Sequence, residues 1–439
     1  MKYLLSLFTL LFATTLFAEK KQLTLNEAIF LGLEHSPKLH STQMNINAAT
    51  AKADETFAMQ LPSLKFTGAY TRLSEVPEAS IPSPIQLPGF PSKFTISPSV
   101  FDNYLTKLSV TQPLFMGNKL TSANEIAQLS LKISTEDFQK EKADVTLAIT
   151  QAFWNLYKAI EFKKLIDENA HQVLAHLTDA QNLMKQGLAT KNDVLKVQVQ
   201  SSNIQLMQMD AENNIQLATY LLNSLLGLPL STELFPTENI SASTNAISPL
   251  DNFITDALNN RAELKSMDLR MKSSVAGITI AKSGWYPQVF LTGNYIYARP
   301  NQRIFPTKDE FKDTWDISVG ISFDVWNWNT TSHQTAQAEA LFSQVQDGIQ
   351  LLQDGIILEV TQHYLNVKQA KERIAVAEQG KLQAEENYRT ASEKFRAGLL
   401  LNSELLDAEV LLLQSKTNST QTLIDYQIAH ARLARATGK

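Results

Sequence analysis

The sequence predicts an α+β membrane protein: four transmembrane β-strands in each chain contribute to a shared barrel, which long α-helical hairpins continue. Three observations carry this fold class. Residues Thr314–Val325, TWDISVGISFDV, alternate with strict period two; two long stretches contain no proline; and the chain repeats its own pattern in two halves.

In that strand Trp315, Ile317, Val319, Ile321, Phe323 and Val325 share one face, and Asp316, Ser318, Gly320, Ser322 and Asp324 share the other, because successive side chains point to opposite sides. Twelve residues at about 3.3 Å each can cross a hydrocarbon core at a tilt, with apolar side chains outward and polar ones inward. A half-buried strand of a soluble sheet has the same pattern. The flanks favour the membrane, with Trp326 and Trp328 at one end and then a helical pattern that meets no proline to the end of the chain.

At the N-terminus Lys2 precedes an apolar run from Tyr3 to Phe17, closed by the small Ala18 and then Glu19-Lys20-Lys21. This reads as a signal peptide over residues 1–18, cleaved after Ala18. The chain has no cysteine, which excludes a disulfide framework, a thiolate metal site and a lipid-modified N-terminal cysteine. No later segment is apolar enough for a helical span, so a barrel is the remaining way to cross, and the outer membrane of a Gram-negative bacterium is the expected location. Export of the chain places the helices in the periplasm. With a net charge of −5 and no basic stripe, nucleic acid is not an expected partner.

The repeat sets the order of elements. Leu25–Tyr70 aligns with Leu250–Tyr295 at an offset of 225 residues, placing Pro62 on Pro287; Tyr104–Gly227 aligns with Trp315–Gly438 at 211, placing Gly187 on Gly398. The first repeat is expected over 19–248 and the second over 249–439. In the first, a helix over Leu25–Leu61 ends before Pro62, and a strand follows over Leu64–Leu73. Ser74–Asp102, with six prolines, reads as irregular loop, and Tyr104–Phe115 as the returning strand. A continuous helix over Lys119–Lys185, roughly 100 Å long, turns at Gly187. The next helix carries a three-four seam through Val194, Val197, Ile204, Ala211 and Leu222, and its copy runs through Leu405, Ala408, Leu412, Ser419, Tyr426 and Leu433. Leu228–Ser248 reads as an irregular belt joining the halves.

Aromatic residues fall into two groups that fit two membrane interfaces. Phe115, Trp285, Tyr286, Trp326 and Trp328 lie at the helical ends of the strands, and Tyr70, Tyr104, Tyr295, Tyr297 and Trp315 near the loop ends. Four strands cannot close a barrel, and an open edge cannot face lipid, so several chains must share one. Two chains would give a filled barrel of eight strands, three a barrel of twelve with an aqueous bore.

No catalytic constellation, metal site or cofactor motif is present, so no enzyme activity is expected. His171 and His176 are five apart and read as polar surface residues. Gly380-Lys381 lies within a helix and has no glycine-rich phosphate loop around it.

Signal peptide, repeat, paired strands and long helical hairpins together resemble the TolC family of outer-membrane efflux proteins over essentially the whole mature chain. The most local motifs are the turns Lys185–Val194, KQGLATKNDV, and Arg396–Leu405, RAGLLLNSEL. The resemblance implies a homotrimer with a 12-stranded barrel in outer-membrane lipid and a helical barrel in the periplasm. It further implies a passive exit duct of a tripartite efflux or type I secretion system, working with a periplasmic adaptor protein and an inner-membrane transporter. Lys185, Gly187, Leu188, Thr190, Arg396, Gly398, Leu399 and Leu400 would form the adaptor-docking turns. Glu404 and Asp407, six and nine positions after the second turn glycine, would ring the periplasmic entrance, with Asp193, the repeat equivalent of Glu404, outside that ring. Where some relatives close the entrance with a tyrosine and an arginine, this chain has Phe395 and Leu400; apolar packing of Phe395 is the alternative closure. A periplasmic adaptor and a structural coiled-coil envelope protein are the other readings, and the membrane-length strand pairs argue against both. The cargo stays open.

Overall fold

A computed structural model of the chain describes residues 21–85, 87–238 and 247–439; the expected signal peptide and residues 239–246 of the expected belt lie outside them. The chain forms two compact units. One takes in the chain up to Gln43, Glu136–Leu264 and Leu351–Lys439; the other is Met44–Thr135 with Lys265–Gln350.

The elements follow in order. Strand β1 (Lys21–Leu23) leads into helices α1 (Leu25–His35) and α2 (Pro37–Ala58). Strand β2 (Ser63–Arg72), the short β3 (Ala79–Pro82) and β4 (Lys93–Ser97), and β5 (Asp102–Phe115) precede the hairpin of α3 (Lys119–Lys185) and α4 (Lys191–Leu226). After β6 (Leu234–Pro236) come α5 (Leu250–Asn260), α6 (Ala262–Lys282), a single 3-10 turn, β7 (Gln288–Arg299) and β8 (Lys312–Ser322). The last hairpin is α7 (Thr330–Arg396) and α8 (Asn402–Ala436). Helices α3 and α7 are both 67 residues long, the span expected for α3.

Four expectations need correction. The helix over Leu25–Leu61 is not continuous. It breaks at Ser36, which is extended with φ −68° and ψ 115°, because the residue before a proline is pushed out of the helical region. Its counterpart breaks at Arg261, also extended, without a proline. There the guanidinium binds Glu263 at 2.9 Å and Glu359 at 2.5 Å, and Arg435 reaches Asp144 and Glu263. Burial alone would raise the Glu263 carboxyl, but the hydrogen bonds from Arg261 and its own backbone and the charges of both arginines outweigh it and hold the group at about 2.

Ser74–Asp102 is not wholly irregular, since β3 and β4 pair antiparallel within it. Its prolines allow this because all but Pro82 lie outside the paired residues, and Pro82 ends its strand. The belt likewise contains β6, which pairs parallel with β1. Finally, β8 begins at Lys312 and ends at Ser322, so Phe323 and Val325 lie beyond it.

Strands β2, β5, β7 and β8 form one antiparallel sheet in that order, with β2 and β8 at open edges. Register lines up one face across all four strands: Phe66 sits opposite Leu108, Leu108 opposite Tyr295, and Tyr295 opposite Trp315. Phe66, Leu108, Tyr295, Trp315, Ile317, Val319 and Ile321 are all exposed. The opposite face carries Lys65, Thr67, Lys107, Ser109, Asn294 and Asp316, with Asn294 and Arg303 both donating to Asp316. A sheet folded for water would bury its apolar face; this one presents it.

All ten of the expected interface aromatics are exposed. Tyr70 and Tyr104 meet at a tilt with ring centroids 5.0 Å apart near the loop ends, and Phe115 meets Tyr286 edge-on at 6.3 Å, with Trp326 and Trp328 5.7 Å apart, at the helical ends. From Tyr104 to Phe115 the strand advances roughly 36 Å, or roughly 28 Å along the membrane normal at a barrel strand's tilt.

The packed cores lie in the other unit. Leu23, Ile149, Phe153, Leu222, Leu226 and Ile424 centre one cluster, and Ala257, Val360, Tyr426 and Leu433 another. A third, with Ile166, Val173, Val197, Phe395 and Leu405, holds the helices together near the turns.

Candidate functional site: the two hairpin turns

Both helical hairpins turn through the same backbone geometry. Gly187 and Gly398 take φ of 76° and 71°, a left-handed conformation that costs an L side chain about 1 kcal/mol or more. In the first turn Leu188 N–H donates to Leu183 O at 2.9 Å and Gly187 N–H to Met184 O at 3.0 Å; in the second Leu399 donates to Lys394 O and Gly398 to Phe395 O, both at 2.9 Å. This paired closure satisfies the last carbonyls of each long helix. The side chains that follow point to solvent: Leu188 is 69% exposed and Leu399 77%, with Lys185, Thr190 and Arg396 also exposed. Leu400 is half-buried and packs on the third cluster.

The outgoing helices start differently. Thr190 caps α4: its hydroxyl accepts from Asp193 N–H at 3.2 Å while the Asp193 carboxylate accepts from Thr190 N–H at 2.9 Å. The Thr190 hydroxyl, which also donates to that carboxylate at 2.6 Å, and then the Thr190 N–H lower the Asp193 carboxyl below its usual range. At the matching position α8 has Leu401, which offers no side-chain cap. Glu404 is therefore not drawn into a capping box as Asp193 is, and it and Asp407 are exposed on the first turns of α8.

Phe395 does not project freely. It is 3% exposed, sits in the third cluster, and its ring lies edge-on to His176 at 4.9 Å. His171 is exposed as expected, but His176 is not a surface residue. Its side chain is 2% exposed, with Nε2 2.9 Å from Asn402 Oδ1 and Nδ1 3.1 Å from a carboxylate oxygen of Glu409, itself 1% exposed. The signal for this was present: Ile166, Asn169, Val173, His176 and Ala180 recur at three-four spacing, and all five are buried. A histidine on such a seam belongs to the interface between helices.

A profile of the outer membrane efflux protein family matches residues 29–228 and 253–439 of this chain. The outer membrane protein TolC of Vibrio cholerae serotype O1 is 21% identical over 447 residues, covering all of this chain and 96% of that protein. The crystal structure of the outer membrane protein VceC from Vibrio cholerae is similar with a TM-score of 0.76 and 18% identity, over 94% of this chain and 96% of that one. The Campylobacter jejuni CmeC outer membrane channel gives a TM-score of 0.78 at 14% identity, over 94% of this chain and 85% of that one.

Proposed function

The chain belongs to the outer membrane efflux protein family, and from that premise we propose that it is a passive exit duct, three copies of which close one barrel across the outer membrane. The observation that carries this reading is the four-stranded sheet, with its apolar face exposed between two aromatic girdles, its polar face lined by Lys, Thr, Ser and Asp, and both edges unpaired. Unpaired edges cannot face lipid, and twelve strands are the smaller closed number that leaves an aqueous bore. Exposed leucines at heptad spacing on α7, Leu351, Leu358 and Leu365, supply a helical surface for a neighbouring copy. The chain supplies no nucleotide motif, so the energy for export comes from an inner-membrane transporter. A periplasmic adaptor docks on the exposed turns through Lys185, Gly187, Leu188, Thr190, Arg396, Gly398 and Leu399, with Leu400 supporting them from the core. Glu404 and Asp407 from each copy ring the entrance, where clustered carboxylates favour cations.

Single-channel conductance of the purified protein in a planar bilayer tests this, with wild type compared against Glu404→Ala combined with Asp407→Ala. A small, cation-preferring conductance that grows or loses selectivity in the double variant is expected. No conductance from either protein overturns the duct; a conductance unchanged by the substitutions removes the two carboxylates from the entrance.

A further inference from the structure

His176 on α3 touches α8 through Asn402 and Glu409 and α7 through Phe395, and the hydrogen bonds around it fix where its protons must be. Asn402, the first residue of α8, donates through Nδ2 to the backbone carbonyl of Asp193 on α4 at 3.3 Å. Its Oδ1 therefore faces His176 on α3, and since an amide oxygen only accepts, Nε2 carries a proton. A neutral ring protonated at Nε2 presents a bare lone pair at Nδ1. That lone pair would face the Glu409 carboxylate at 3.1 Å, and neither Nδ1 nor either Glu409 oxygen has another hydrogen-bond partner among the described residues. Two acceptors this close and this deeply buried repel. The contact is attractive only when one further proton is present, on Nδ1 or on the carboxylate.

Other charged and titratable groups lie nearby on three helices. On α7, Tyr388 has its phenol pushed up by burial and then by the Glu409 charge, and Arg396 pairs with Asp179 of α3 at 3.3 Å. On α4, Asp193 is committed to the Thr190 cap. Phe395 covers the ring edge. Arg396 is the only cation among these, and Asp179 already engages it.

We propose that His176 and Glu409 form a proton-dependent tie that fastens the α7–α8 hairpin to the α3–α4 hairpin, and so sets whether the second turn, Ala397–Leu401, is held or released. Protonated, the pair holds the start of α8, and with it Glu404 and Asp407, against α3. When the proton leaves, a carboxylate and a lone pair face each other without solvent, and the hairpins part there. The consequence for export, an entrance that loosens as periplasmic pH rises, rests on the duct reading; the tie itself does not.

Hydrogen exchange of residues 396–405 in the full-length, detergent-solubilised protein tests it, with wild type and Glu409→Gln compared at each pH from about 5 to 9 so that intrinsic exchange cancels. The glutamine amide donates to Nδ1 with no titrating proton. The ratio of wild-type to variant exchange is expected near one at the acid end and to rise about tenfold at the alkaline end. A ratio that stays constant across the range overturns the tie. Should Glu409→Gln not fold, His176→Gln replaces it, and exchange of the second turn relative to the first, 185–194, in wild type alone must still climb with pH. Conductance measured alongside separates the two ideas: a silent channel with a pH-dependent ratio defeats the duct and keeps the tie.

Discussion

Thr190 and Leu401 occupy matching places in the two hairpins, and the difference between them decides what the neighbouring carboxylates can do. Asp193 accepts through one carboxylate oxygen, Oδ2, from both the backbone N–H and the hydroxyl of Thr190, whereas Glu404 has no hydroxyl to cap against. Leu401→Thr should create the missing capping box, stabilise the first turn of α8 by about 1 kcal/mol and draw the Glu404 carboxylate onto the backbone. Hydrogen exchange over 402–405 should slow about fivefold, and the cation preference of the channel should fall; slowed exchange with full selectivity would mean that Glu404 does not face the conducting path. The turn glycines were legible from the repeat, and the acidic residues after the second turn only through the family resemblance. The burial of His176 and Glu409 is not legible in that way, because a histidine and a glutamate look like surface until the seam through Val173 and Ala180 is followed.

At the scale of elements, β8 shows how period two becomes a membrane strand. Val319 is exposed midway between Trp315 and Phe323, and Ser318 lies on the other face opposite Thr292. Val319→Arg should therefore destabilise the barrel by about 2–4 kcal/mol, the cost of a cation at the bilayer midplane, while Ser318→Arg should fold and alter conductance. Heat stability in matched micelles and bilayer recordings check the pair; equal loss from both would mean that the sheet does not face lipid on one side. Helix ends were harder to read than strands. The break at Ser36 comes from a proline, whereas at Arg261 there is none and the guanidinium is held by Glu263 and Glu359; only the proline is visible in a single sequence.

For the whole molecule, the unit that carries the sheet exposes the apolar residues that a soluble domain would bury, and the unit that carries the turns holds the packed clusters. Lipid and further copies of the chain are the two solvents that such surfaces fit. In the proposed trimer, Leu358 lies at the centre of the exposed heptad row between Leu351 and Leu365. Leu358→Asp should place three carboxylates in helix interfaces and convert the trimer to separate chains, read as a fall in mass by native mass spectrometry in detergent. A variant that stays trimeric would move the interface off that face of α7.

The alternation of Thr314–Val325, the proline-free runs and the offset between Gly187 and Gly398 determined the fold class, the strand faces, the 67-residue helix and the turn positions, because each depends on a local period or a local backbone preference. Tertiary structure decided the rest: the pairing of β3 with β4 inside a proline-rich loop, the break at Arg261, the seating of Phe395 in the core and the meeting of His176 with Asn402 and Glu409. These join residues up to more than two hundred positions apart, and no local period encodes which distant side chain will lie across an interface.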